Sequence, residues 1–199
     1  IHPAWGLHPM FIADHAPGDL AALEQQVARQ RPVAIGECGL DFSNPQWDAQ
    51  AQRAVFAAQV GLAQETGLPL IIHARQAVEE VIQTLRRHPS ATGVVHSYSG
   101  SIEQARQLAG IGIHVSLGGP LTHARALRLH KLVAALPDWQ LLLETDAPDQ
   151  ADAGIVGQRN EPARLPHIAA HVAALRQVEL SALAASTSAN ARRLFALPT

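Results

Sequence analysis

Residues 68–75 read LPLIIHAR. A proline stands near the start, an unbroken apolar run follows, and the stretch finishes in His73 and Arg75. A short apolar run bounded by turn residues is the pattern of a strand covered on both faces, as in a parallel sheet. A strand so thoroughly buried that ends in an imidazole and a guanidinium points to a site at its C-terminal end.

Outward from this strand the same pattern recurs. AWGLHP from Ala4, PVAIGECGLD from Pro32, TGVVHS from Thr92, GIHVSLGG from Gly112 and WQLLLETDAP from Trp139 all read as strands. Helical spacing fills the gaps. In Asp19–Arg31, Leu20, Leu23 and Val27 share a face and Asp19 serves as a cap. An Ala- and Gln-rich helix is expected over Pro45–Thr66, ended by Gly67. Further helices are expected over Gln76–Arg87, over SIEQARQLAG with Ser101 as cap, over Ala124–Ala135 and over Glu161–Gln177. A last helical pair closes the chain near Phe195.

Strand–helix alternation repeated in this way implies a parallel sheet covered by helices. No G-x-G-x-x-G follows the first strand, which weakens a dinucleotide-binding version of that sheet. Polar residues close one strand after another: His8, Glu37, His73, His96 and Asp146. In a β/α barrel the C-terminal ends of all strands converge on one site, whereas an open sheet would keep its edge strands apart. The expected fold is therefore a TIM-type (β/α)8 barrel. Six strands are legible, and the opening IHPAWGLHPM reads as the middle of a domain. The expectation is one barrel domain over residues 1–199 that lacks its first two strand–helix units.

Composition sets limits on function. With 15 Lys and Arg against 17 Asp and Glu, the net charge of −2 argues against coating long nucleic acids by charge, yet leaves room for a site that grips one phosphate or one strand end. The one cysteine, Cys38, forms no internal disulfide and fits a reducing compartment, so a cytoplasmic protein is expected. No apolar run reaches membrane-spanning length.

Strand alternation sorts the strand-end residues by face. If Glu37 faces the barrel axis, Ile35 does too and Cys38 faces the helices. Ile71, His73 and Arg75 share one side, as do Leu142, Glu144 and Asp146. Glu37, His73, His96 and Asp146 can then meet at one mouth. Two imidazoles and two carboxylates are a donor mix suited to Zn²⁺, Mn²⁺ or Fe²⁺. A carboxylate can bridge two ions, and paired ions can generate a hydroxide, stabilise an oxyanion and help a leaving group depart. A single histidine at a strand end is ordinarily a hydrogen-bonded surface residue. Four ligand-type residues on four strands carry the reading.

Other groups have plainer readings. Cys38 is a small buried apolar residue, and Glu144 is an inward group hydrogen-bonded below the site. His2, His15, His88, His114, His123, His130, His167 and His171 are mostly helix- or loop-borne and are read as ordinary residues. Arg75 binds an anionic substrate or makes a structural salt bridge. His8 contacts substrate or caps its loop, and Asn160 caps a helix or stands by the mouth.

Taken together, GLHP at Gly6, AIGECGLD at Ala34, LPLIIHAR at Leu68, GVVHSYSGS at Gly93, LLLETDAPD at Leu141, NEP at Asn160 and NARRLF at Asn190 resemble the TatD family of metal-dependent hydrolases and deoxyribonucleases. The segments occur in the family's order and span nearly the whole chain. The phrasing ETDAPD…GQ-x-N is most similar to the family's YjjV-like branch. The resemblance implies a barrel holding two divalent ions (Zn, Mn or Mg), with Glu37 bridging, His73 and His96 on one ion, and Asp146 on the other and helping to activate water. It implies hydrolysis of a terminal phosphodiester of DNA, with Arg75 near the scissile phosphate. Tyr98 stands where the family often has Phe, which would add a hydroxyl near the mouth. The family's first strand, ending in a metal-binding His-x-His, has no counterpart here, so weak metal binding is expected of this chain.

Two other readings stand beside the DNA-end nuclease. One is a barrel hydrolase of a small amide, lactone or phosphate ester. The other is a non-catalytic homologue that acts as a binding or structural protein.

Overall fold

The computed structural model describes residues 1–198. Six strands form one sheet: β1 (Ala4–Trp5), β2 (Ala34–Asp41), β3 (Leu70–Arg75), β4 (Gly93–Val95), β5 (His114–Leu117) and β6 (Leu141–Leu143). Every neighbouring pair is parallel and the spatial order is the chain order. A doubly wound sheet would reverse its order at a switch point. An unreversed order is that of a β/α barrel wall, so the barrel reading of the strand ends holds.

Seven helices cover the sheet: α1 (Asp19–Gln30), α2 (Ala49–Thr66), α3 (Val78–Arg86), α4 (Ile102–Gly110), α5 (Leu127–Ala135), α6 (Leu165–Arg176) and α7 (Leu180–Leu194). Their ends follow local chemistry. Ser101 and Gln104 form a reciprocal capping box at the start of α4. Helix α2 begins later than its composition suggests, because the Asp48 carboxylate accepts from the backbone N–H groups of Gln50 and Ala51 and so fixes the start. Gly67 ends α2 at a φ of 67°. The closing helical pair is one continuous helix, α7. Asn160 does not cap a helix: a tight helical turn begins after Glu161, and α6 follows it.

The core lies between sheet and helices, with Phe56, Val60, Ile72, Ile82, Leu108 and Val115 among its fully covered members. The opposite face carries Ile71, Val94 and His114 in register across three strands. One expected orientation is reversed. The register between β2 and β3 slips between Ile35 and Cys38, and an inserted residue breaks a period of two. Ile35 therefore joins Cys38 in the helix-side core and does not share the face of Glu37.

Glycines permit the close approach of β2 to β3. A Cβ on Gly39 would lie 2.1 Å from the carbonyl oxygen of His73, and one on Gly36 2.6 Å from that of Ile71. Both residues have positive φ, 135° and 156°. The two strands are thereby brought together at the point where their site residues emerge. Among the described residues, no helix is long and apolar enough to cross a membrane.

Candidate metal centre and cleft

A cavity of about 760 Å³ opens at the C-terminal ends of the strands. His8, Glu37, His73, Arg75, His96 and Asp146 all line it. Six of the seven residues singled out from sequence thus share one cleft. Asn160 is the exception. It is buried, and its Nδ2 donates to the carbonyl oxygens of Thr145 at 2.6 Å and Asp149 at 2.7 Å, while its Oδ1 accepts from the N–H of Glu161. It shapes the loop that carries Asp146 from beneath.

Glu37 is the centre of the cluster. Its Oε1 lies 2.9 Å from His8 Nε2, 2.9 Å from His73 Nδ1 and 2.5 Å from His96 Nε2. Burial would raise the Glu37 carboxyl, but the three imidazoles outweigh it and hold the group far below the usual carboxylate range. Burial also opposes charge on His96, yet Glu37, with Glu144 and Asp146, lifts its pKa above the ordinary histidine value. The cluster therefore attracts positive charge.

The hydrogen bonds fix which nitrogens can act. Asp41 Oδ2 lies 2.8 Å from His73 Nε2. Hydrogen bonds from Ser43, and then His73, hold the Asp41 carboxyl below its usual value against the effect of burial. An ionised carboxylate only accepts, so His73 carries its proton on Nε2 and, when neutral, turns a bare Nδ1 lone pair toward Glu37. Two acceptors 2.9 Å apart require a proton or a metal cation between them. His8 is arranged the other way. Its Nδ1 accepts from the N–H of Met10 at 3.1 Å, which leaves the proton on Nε2, facing Glu37.

His8, Glu37 and His73 each place a donor atom within 4.8 Å of the others. The tautomer of His8 makes it a hydrogen-bond donor to the cluster, and His96 Nε2 is the further imidazole nitrogen that faces Glu37 Oε1. His96 Nε2 stands 3.4 Å from His73 Nδ1. A tetrahedral ion with bonds of about 2.1 Å separates its donors by about 3.4 Å. The donor set of Glu37, His73 and His96 thus fits a divalent cation after Glu37 draws back slightly.

Asp146 stands on the cleft wall in left-handed backbone, at a φ of 57°. Gln150 Nε2 donates to its Oδ2, and Gln150 Oε1 accepts from Ser97 Oγ at 2.7 Å. Glu144 lies deeper, as expected. Its carboxylate accepts from the Ser97 N–H at 2.7 Å and from the Ser116 hydroxyl, and burial raises its pKa. Arg75 makes no ion pair or side-chain hydrogen bond among the described residues, so the structural salt bridge is absent and an exposed cation lines the cleft. The Tyr98 hydroxyl is turned away from the mouth and donates to the carbonyl of Ser101 at 2.8 Å.

Sequence reasoning passed over Asp41 and Gln150. Asp41 had a signal: Glu37, Gly39 and Asp41 alternate, and Gly39 and Asp41 pair in register with His73 and Arg75. Gln150 had none, because its position depends on the path of a loop.

The family model for TatD-related DNases matches residues 1–196. The chain belongs to this family. Among TatD-family relatives it is 36% identical over 197 residues to the metal-dependent hydrolase YabD of Bacillus subtilis, covering 98% of this chain and 77% of that one. It is 36% identical over 201 residues to the 3′-5′ ssDNA/RNA exonuclease TatD of Klebsiella pneumoniae, with 96% and 76% covered. The crystal structure of YjjV, a TatD homologue of Escherichia coli, superimposes with a TM-score of 0.95 at 34% identity, over 99% of this chain and 77% of that one. The TatD-type barrel and the placement of the strand-end motifs agree with this membership.

Proposed function

We propose that this protein is a metal-dependent hydrolase that cleaves phosphodiester bonds at the end of a single-stranded nucleic acid. The reading rests on one observation above the others: His73 Nδ1, His96 Nε2 and Glu37 Oε1 converge within 3.4 Å of one another, with Asp41 holding His73 in the tautomer that offers its lone pair. Glu37, His73, His96 and Asp146 would hold two divalent ions; Zn, Mn and Mg all suit such oxygen and nitrogen donors. When bound, the ions supply Lewis acidity at the phosphoryl oxygens and a lowered pKa for water.

The chain's own residues then divide the remaining work. Asp146, steered by Gln150, accepts a proton from the attacking water. Arg75 reaches a phosphate oxygen, for which a guanidinium is geometrically suited. His8 offers its Nε2 proton toward the same region. The Klebsiella relative is a 3′-5′ ssDNA/RNA exonuclease, which supports the substrate class. A free, buried Cys38 suits a reducing compartment, and the cytoplasm belongs to the same proposal.

The test is an end-labelled single-stranded oligonucleotide incubated with the protein and Mn²⁺ or Mg²⁺, with Asp146→Ala as control. Stepwise shortening that needs both the metal and Asp146 is expected. Absence of shortening, with turnover of a small lactone or phosphate ester instead, overturns the nucleic-acid reading.

A further inference from the structure

The loop after β1 carries two apolar side chains with no place in the core. Phe11 is 58% exposed and Met10 39%, and neither belongs to the helix-side core or packs against it. Both line the cleft that holds Glu37, His73 and Arg75. Leaving a phenyl ring in water forgoes burial worth about 2 kcal/mol, so a ring held there by rigid structure calls for an occupant.

The backbone that carries the ring is hydrogen-bonded in place. Pro9 is buried, the Phe11 N–H donates to the carbonyl of His8 at 3.1 Å, and the His8 ring accepts from the Met10 N–H. The rings of His8 and Phe11 meet edge-on, with centroids 5.8 Å apart and planes at 60°. Through His8, the position of Phe11 is set relative to Glu37. The cleft thus presents the Glu37, His73 and His96 cluster, an arginine that has no ion pair among the described residues and, one ring beyond His8, an exposed aromatic face.

We infer that Phe11, with Met10 beside it, is a stacking shelf for a nucleobase next to the scissile phosphate. The inference rests on the phosphodiesterase reading above and deepens it. A phosphate at the floor carries its sugar and base outward, toward the wall where Phe11 stands. Every base has an aromatic face, so such a shelf grips a strand end without selecting sequence. It also separates nucleic acid from small phosphate esters that carry no base.

The experiment compares wild type, Phe11→Ala and Phe11→Trp on two 5′-labelled oligothymidylates, one intact and one with abasic residues at its 3′ end. Wild type and Phe11→Trp are expected to favour the intact strand. Phe11→Ala is expected to raise KM for that strand about 10-fold, the scale of one lost base–aromatic stack, with kcat little changed and no preference left. Indole fluorescence of Phe11→Trp is expected to be quenched by the intact strand and not by the abasic one. Equal KM for wild type and Phe11→Ala, or equal quenching by both strands, overturns the shelf and leaves the hydrolase reading intact. No cleavage or binding of either strand by wild type overturns that reading and the shelf with it.

Discussion

Asp41 grips His73 by the nitrogen that faces away from the cleft. The Oδ2–Nε2 distance is 2.8 Å, and the opposite nitrogen of the same ring lies 2.9 Å from Glu37. A carboxylate behind a histidine fixes its tautomer and raises its basicity, and loss of such a partner typically weakens metal affinity about 10–100-fold. Asp41→Ala is expected to fall in that range for Mn²⁺ or Zn²⁺, measured by calorimetry. Asp41→Asn, which still accepts a hydrogen bond, is expected to retain more of the affinity. In metal-free protein, ¹⁵N NMR of the His73 ring should show the Nε2–H tautomer in wild type and a mixture in Asp41→Ala. An unchanged tautomer would remove Asp41 from this role.

Gly39 sits where two strands meet at the site. A methyl group there would press on the His73 carbonyl at 2.1 Å, and the φ of 135° is costly for any side chain. Gly39→Ala is expected to destabilise the fold by at least about 2 kcal/mol. It should also displace His73, so metal affinity is expected to fall with the melting temperature. Urea unfolding and metal titration of the same sample check both effects.

Asn160 supports the loop of Asp146 and lies outside the cleft. Asn160→Ala removes a buried donor and its two hydrogen bonds to the carbonyls of Thr145 and Asp149, a loss of about 1–3 kcal/mol. Asn160→Asp keeps the size but places a carboxylate against those carbonyls, and is expected to be worse. For either variant that folds, kcat should fall more than KM rises. A rise in KM alone would return Asn160 to the substrate.

Asp152 gives a pH test away from the metal cluster. Its side chain is buried, and Arg164 binds both oxygens, at 2.6 and 2.8 Å. The guanidinium lowers the carboxyl from the ordinary 3.8 to about 2. A folded-state pKa below the unfolded one stabilises the protein above the unfolded value, and that stability is lost as pH falls toward the folded value. Wild type should therefore exceed Asp152→Asn in urea stability at pH 6, and the gap should close between pH 4 and pH 2. A gap that stays constant with pH would mean the carboxylate charge contributes nothing.

The six strands and their order were legible because their signals are local. A short apolar run rich in β-branched residues and flanked by Gly or Pro reads as a strand from its own residues, and a helix start such as Ser101 with Gln104 reads the same in isolation. The clustering of Glu37, His73, His96 and Asp146 was legible for a related reason: all stand at strand ends, and a parallel barrel brings those ends together. The side of Ile35 was misread, since the inserted residue before Cys38 leaves no mark in an apolar–polar pattern.

By itself, the sequence determined the strand–helix alternation, the barrel and the ligand-type residues at its mouth, because these follow from residue type and periodicity along the chain. Tertiary structure decided how the site is wired. It placed Asp41 behind His73, turned the His8 proton toward Glu37, drew Asn160 beneath the loop of Asp146 and left Phe11 on the rim of the cleft. Each of these depends on register and loop path, which bring together residues distant in the chain, such as Glu37 and His73, 36 positions apart, and which no local pattern encodes.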